Sequence, residues 1–240
     1  MELLTPNPDI TTSTVGEIAT QYPGAIQVFN KYNIDFCCGG KKQFLHVCKE
    51  ANLEPKKIME ELFLAEGKAK PGALRVTTWQ PPLLVNFILE NHHTYVKQSI
   101  PELRELLNKV CAVHGEDQPS LYEVRKQFEE LSTELLHHLT KEEQVLFPAI
   151  LSLYEGRKNT SIGLEHPILV MEDEHEHAGQ LMKSIRELTN NYTPPAFACP
   201  TFQMTYKLLQ EFEEDLMQHI HLENNILFER IKQHQTMSTL

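Results

Sequence analysis

Leu135-Leu136-His137-His138-Leu139-Thr140-Lys141-Glu142, running on to Leu146-Phe147, returns later in the chain as Leu216-Met217-Gln218-His219-Ile220-His221-Leu222-Glu223, running on to Leu227-Phe228. Each copy carries a histidine and a glutamate four residues apart, His138 with Glu142 and His219 with Glu223. On a helix this spacing puts an imidazole and a carboxylate on one face, one turn apart, as two groups must be if they are to reach one metal centre. The repeat therefore predicts two equivalent helices facing a shared metal site.

Working outward, four segments show sustained apolar spacing of three and four, with breaks near Gly115 to Ser120, Gly156 to Gly163 and Asn190 to Pro200. Connections of this length between amphipathic helices predict an antiparallel four-helix bundle over residues 83–240. Upstream, residues 1–65 mix short helical patterns with turn signals and form a small helical N-terminal domain. Residues 66–82, with Gly67, Pro71, Gly72, Pro81 and Pro82, read as a linker. No run alternates as a half-buried strand does, so the fold class is all-α.

Heptad register selects the residues on the bundle seam. The first helix gives Leu89, His93, Val96, Ile100, Leu103, Leu107 and Val110, and the second Val124, Phe128, Leu131, Leu135, His138, Glu142 and Val145. The third gives Leu164, Ile168, Met171, His175, Ala178, Met182 and Ile185, and the fourth Phe212, Leu216, His219, Glu223 and Ile226. Each helix aims one histidine inward, and two add a glutamate. Burying an unpaired carboxylate costs several kcal/mol, and no Lys or Arg stands at neighbouring seam positions. A bound dication, or a pair of them, supplies the missing charge.

Four imidazoles and two carboxylates without thiolate suit neither a four-ligand structural zinc nor magnesium or calcium, and fit two iron or manganese ions better. With Glu142 and Glu223 both bridging, each metal receives two histidines and two carboxylate oxygens. A solvent-derived oxo or hydroxo bridge adds a fifth ligand and leaves one position open. A ferritin-like alternative uses Glu90 with His93 and Glu172 with His175 as Glu-x-x-His pairs, but leaves His138 and His219 without a role. Glu90, Glu172 and Glu174 are then rim or supporting carboxylates that orient imidazoles. His92, His137, His177 and His221 fall off the stripes and are expected at solvent or at the rim. His114 follows His93 by 21 residues, about 31 Å along an unbroken helix, too far for a common coordination sphere.

A net charge of -11 excludes phosphate-backbone binding as the main activity. No stretch approaches the roughly 18 apolar residues of a membrane span, and the start has neither basic nor apolar leader regions, so a cytoplasmic protein is expected. Five cysteines, with only Cys37 and Cys38 adjacent, do not make a secreted disulfide framework. Vicinal thiols close only a strained ring, so redox chemistry at Cys37 and Cys38 calls for an outside thiol or a metal. Gly39 and Gly40 allow close backbone approach, and the helix expected from Lys41 to Cys48 would lower a thiol pKa through its dipole. The competing reading is a tight turn with one buried and one incidental cysteine.

The chain resembles the RIC family, the repair-of-iron-centres proteins, in which an ScdA-type domain precedes a hemerythrin-like di-iron bundle. The resemblance rests on Lys31-Tyr32-Asn33-Ile34-Asp35-Phe36-Cys37-Cys38-Gly39-Gly40 and on His138 with Lys141-Glu142-Glu143-Gln144 and Leu146-Phe147-Pro148. It extends to Val170-Met171-Glu172 with His175, Thr193-Pro194-Pro195, and His219 with Leu222-Glu223-Asn224-Asn225. It implies two non-haem irons per chain held by His93, His138, His175 and His219 and bridged by Glu142 and Glu223, the set that the register selects independently. It also implies repair of iron-sulfur clusters damaged by nitric oxide or peroxide, through iron delivery, reduction of nitric oxide to nitrous oxide, or both. The expected partners are damaged iron-sulfur proteins and nitric oxide or oxygen as small ligand, without nucleic acid or membrane; a homodimer is left open. The competing functions are a hemerythrin-like oxygen carrier, an iron or oxygen sensor, and iron storage.

Overall fold

The computed structural model describes residues 8–22, 24–66, 76–155 and 163–238. Among them every regular element is helical, and extended pairing is limited to an isolated antiparallel bridge between Thr14 and Gln43. The chain divides into two compact units, Met1–Gln80 with Ile220–Leu240, and Pro81–His219. Of the expected linker, Glu66 closes a helix, Val76–Thr78 forms a 3-10 turn, and Pro81 and Pro82 open the next helix. Residues 67–75 lie outside the described residues, as do 156–162 of the break expected at Gly156 to Gly163.

The first unit holds α1 (Pro8–Thr12), α2 (Val15–Gln21), α3 (Ala25–Lys31), α4 (Phe44–Glu50) and α5 (Pro55–Glu66). Helices this short need their ends fixed. Thr14 caps α2 through a reciprocal box with Glu17, Thr14 N–H donating to Glu17 Oε2 at 2.8 Å and Glu17 N–H to Thr14 Oγ1 at 3.2 Å. At the other end, α3 and α4 each stop on an asparagine in the left-handed region, Asn33 and Asn52, both at φ 53. Ile34 N–H reaches back to Phe29 O and Leu53 N–H to Cys48 O, so the last carbonyls are satisfied. Ile18, Phe29, Phe36 and Phe44 fill the core between these helices; each such side chain contributes about 1.5–3 kcal/mol of burial.

The second unit is built on α6 (Pro81–Phe87), α7 (Thr94–His114), α8 (Ser120–Lys141), α9 (Phe147–Tyr154), α10 (Glu165–Leu188) and the body of α11 (Pro200–Leu222). Contacts between successive long helices run in opposite numerical order. Along α7 and α8, Lys97 meets Glu143, Arg104 meets Thr133, and Cys111 meets Leu121. Between α8 and α10, Lys141 meets Glu174 and Glu134 meets His177. Between α7 and α11, His92 meets Asp215 and His114 meets Cys199. This is the antiparallel bundle that the sequence predicts. The chain ends in α12 (Phe228–Ser238), which belongs to the first unit.

The seam register holds along α10 and α11 and fails at two places elsewhere. Val145 is 61% exposed, while Leu146 and Phe147 are buried in its stead. Leu89 is only half-buried, and Ile88 takes the interior position. Both lie in π turns, over Ile88–His93 and Glu142–Leu146, and a third spans Glu223–Leu227. A π turn bonds over five residues and inserts one extra, shifting every later side chain around the axis. Phe147 N–H donates to Glu142 O and Phe228 N–H to Glu223 O, so the repeated sequence is also a repeated backbone deformation.

Candidate metal centre

His93 closes the π turn before α7, His138 lies in the last turn of α8, His175 is in mid α10 and His219 is near the end of α11. All four are buried, as are Glu142 and Glu223, each at the first position of its π turn. Two four-residue groups emerge, His93, Glu142, His219 and Glu223, and His138, Glu142, His175 and Glu223, each offering ligand atoms within 4.8 Å of one another. Both glutamates belong to both groups. The six residues that register singled out are thus the six the fold brings together.

Glu142 Oε2 stands 3.4 Å from His93 Nε2 and 3.3 Å from His138 Nε2, an oxygen between two imidazoles. His138 Nε2 and His175 Nε2 are 3.0 Å apart. Two nitrogens bound at right angles to one ion at about 2.1 Å would be about 3.0 Å apart, so this spacing fits a shared cation. The donor set, nitrogen and oxygen without sulfur, fits a first-row transition metal such as iron.

A carboxylate beyond the six fixes each of two imidazoles. Glu143 Oε1 accepts from His93 Nδ1 at 2.8 Å and Glu174 Oε2 from His138 Nδ1 at 2.8 Å. Lys97 donates to both oxygens of Glu143, at 2.6 and 2.8 Å, and Lys141 to Glu174. With the proton held on Nδ1, Nε2 presents its lone pair to the interior. The hydrogen bond from His138, against the opposing effect of burial and with help from Lys141, holds the Glu174 carboxyl down at about 2. At Glu143 burial pushes upward, but the bonds from Lys97 and His93 outweigh it and leave the carboxyl low. Both stay ionised as acceptors. Glu174 was expected in a supporting role; Glu143 was missed, although it adjoins a seam glutamate in Lys141-Glu142-Glu143.

A cleft of about 490 Å³ between α8 and α10 reaches His138 and His175 and carries Glu134, His137, Asp173 and His177 along its wall. His137 and His177 are exposed, as expected. Glu90 is exposed and Glu172 half-buried, and neither enters either group, so the Glu-x-x-His alternative gains no geometric support.

Two histidines depart from expectation. His92 is buried at 4% exposure rather than at the rim, because the wide π turn turns two successive residues inward. Its Nδ1 pairs with Asp215 Oδ1 at 2.9 Å, and its ring stacks on His219 with centroids 5.5 Å apart. His221, 1% exposed, does leave the seam, but it packs inside the first unit, to which it belongs, instead of facing solvent. There it meets Thr20 Oγ1, Asn225 and the edge of Phe36. Burial lowers its pKa to about 4, so it is a neutral core histidine.

In the first unit, Asp35 organises the di-cysteine loop. Its Oδ1 accepts from the amides of Cys37 and Cys38, each at 3.1 Å, and from the Cys37 thiol at 3.2 Å, while Oδ2 accepts from Gly39 N–H at 2.9 Å. Asn225 Nδ2 donates to Phe36 O at 3.2 Å and Cys37 O at 3.1 Å. Gly40 is required here, since a Cβ would meet Phe36 O at 2.9 Å and the Asn225 side chain more closely still. Cys37 is buried and Cys38 half-buried, neither in a disulfide, with sulfurs 3.7 Å apart. The expected lowering of a thiol by the next helix does not occur at Cys37. The helix starts only at Phe44, and the Cys38 contact, burial and Asp35 together push the Cys37 thiol well up.

The family model of the hemerythrin HHE cation binding domain matches residues 85–231, and that of ScdA_N, a domain of unknown function, matches residues 11–66. A probable iron-sulfur cluster repair protein of Haemophilus influenzae is 38% identical over 218 residues, covering 90% of this chain and 95% of its own. The iron-sulfur cluster repair protein YtfE of Yersinia pseudotuberculosis is 36% identical over 223 residues, covering 92% of this chain and 97% of its own. YtfE of Yersinia pestis matches to the same extent.

Proposed function

This chain belongs to the RIC family of iron-sulfur cluster repair proteins, and on that premise we propose that it is a di-iron protein that helps restore iron-sulfur clusters damaged by nitrosative or oxidative stress. The observation that carries the reading is the pair of buried four-ligand groups sharing Glu142 and Glu223. In this reading His93 and His219 would hold one iron and His138 and His175 the other, with Glu142 and Glu223 available to both. Iron held there would supply labile metal for cluster rebuilding and electrons for reducing nitric oxide to nitrous oxide.

The protein's own side chains determine how such a centre behaves. Glu143 and Glu174 keep His93 and His138 in the tautomer that presents Nε2, and Lys97 and Lys141 keep those carboxylates ionised. The cleft beside His138 and His175 offers a small ligand a way in and an ion a way out. Its acidic and imidazole lining favours a cation over an anion. We assign residues 1–65 as the ScdA-type domain, 66–82 as linker and 83–240 as the di-iron domain. Cys37 and Cys38 then act as a docking or redox arm toward damaged iron-sulfur proteins. Among the described residues no helix is long and apolar enough to cross a membrane; a cytoplasmic site of action accords with reduced thiols and these partners.

The oxygen-carrier reading is disfavoured by the repair names of relatives that match almost end to end. Offering the di-ferrous protein to an enzyme with a damaged iron-sulfur cluster tests the choice. Recovery of enzyme activity, or nitrous oxide formed from added nitric oxide, is the expected result. Reversible oxygen binding with neither activity would overturn the proposal.

A further inference from the structure

At the opposite end of α7 from His93 lies a second pair of reactive side chains. His114 closes α7, and its Nε2 is 3.3 Å from Cys199 Sγ. The imidazole is held by ring contacts with Phe197 and Phe202, centroids 6.1 and 5.3 Å away. Cys199 immediately precedes α11, whose first residue, Pro200, has no amide hydrogen. Thr201 and Phe202 follow in the first turn, where backbone amides point toward the helix start. The sulfur therefore stands at the start of a 23-residue helix and within hydrogen-bond distance of a histidine at once. It is only half-buried, so a small reagent can reach it.

The other thiols with a resolved preference go the opposite way. Burial pushes Cys48 and Cys111 up, and the Cys38 contact with burial does so for Cys37. At Cys199 the Phe202 amide, then His114 and the Thr201 amide, pull the thiol down. A cysteine beside a base and a helix start has the features of an activated nucleophile.

We propose that Cys199 and His114 form a nucleophile-and-base pair that takes up small anionic disulfides as a mixed disulfide. The proton of the Cys199 thiol passes to His114. The Sγ thiolate attacks one sulfur of the disulfide, a bond from Sγ to that sulfur forms, and the original sulfur-sulfur bond breaks with its electron pair on the departing thiolate. That thiolate takes the proton from the His114 imidazolium. Cys199 is oxidised, one half of the reagent is reduced, and no other oxidant is needed. The helix start and the imidazolium both favour negative charge, so glutathione disulfide is preferred over the cationic disulfide cystamine.

The test treats the intact, metal-loaded protein with each disulfide at pH 7 and measures modification of every cysteine by peptide mass spectrometry. Cys199 is expected to react at least about tenfold faster than Cys38, Cys48 or Cys111. Glutathione disulfide should outpace cystamine at Cys199 relative to free cysteine. His114→Gln, which keeps a hydrogen-bonding group but no base, should slow the reaction about tenfold at pH 7 and move its pH profile upward. Cys199→Ser should abolish the fast adduct and leave iron content unchanged. Modification of wild-type Cys199 no faster than Cys38, or a rate profile matching free cysteine, would overturn the proposal whether or not the His114 variant folds.

Discussion

Replacing Glu143 by leucine probes how far the outer carboxylates govern the metal site. The substitution removes the acceptor 2.8 Å from His93 Nδ1 and leaves that N–H in a residue only 1% exposed. An orphaned buried donor costs about 1–3 kcal/mol, and loss of such an orienting group lowers metal affinity about 10- to 100-fold, or about 1.4–2.8 kcal/mol. Glu174→Leu should act equally through His138. The two carboxylates serve histidines of different groups, so in the double variant the combined constant for binding both ions should fall about 100- to 10,000-fold if the effects add. Lys97→Met removes only the half-exposed ammonium that backs Glu143, worth about 1 kcal/mol or less. Chelator competition for ferrous iron measures each affinity, with helical circular dichroism as the folding control. A folded Glu143→Leu protein within twofold of wild type, or a Lys97→Met protein as impaired as Glu143→Leu, would refute the reasoning.

Four further outcomes follow from the first unit. Gly40→Ala forces a Cβ against Phe36 O and Asn225 and should lower the urea midpoint by the equivalent of about 1–3 kcal/mol, whereas an unchanged midpoint would show that the loop is not packed as described. Iodoacetamide should label half-buried Cys38 before buried Cys37, and Ser at both positions should preserve the iron spectrum while weakening cluster repair; unimpaired repair would remove the cysteines from the function. Lys31 and Tyr32 hold the half-buried Glu61 carboxyl below its ordinary 4.5. Their stabilising effect is present above pH 4.5 and disappears as pH falls through the lowered value. Glu61→Gln should therefore cost stability at pH 6 but little in strong acid, and a gap that widens on acidification would contradict the assignment.

The bundle and its six inward groups were legible because burial repeats along α7, α8, α10 and α11 with nearly constant period. Legibility ended where the period changed. Nothing in Glu142 to Leu146 announces a π turn, so Val145 reads as inward when it is exposed, and His92 reads as outward when it is buried. His221 shows a different limit. Facing away from a bundle seam means solvent only where nothing else packs there, and Thr20, Phe36 and Asn225 come from segments that no helical period connects to it. Glu143 and Asp215 were missed for a related reason, since a charged residue beside the seam is ordinarily solvated and only tertiary contact turns it toward a histidine nitrogen. The pairing of His114 with Cys199 likewise joins residues that sequence treats as unrelated.

The central claim is that His93, His138, His175, His219, Glu142 and Glu223 hold two irons. Metal analysis of anaerobically purified wild-type protein beside the Glu142→Ala, Glu223→Ala double variant tests it most directly. About two irons per wild-type chain are expected, with their loss from a variant that retains its helical spectrum. A wild-type protein holding zinc or a single ion, or a double variant with unchanged iron, would contradict it.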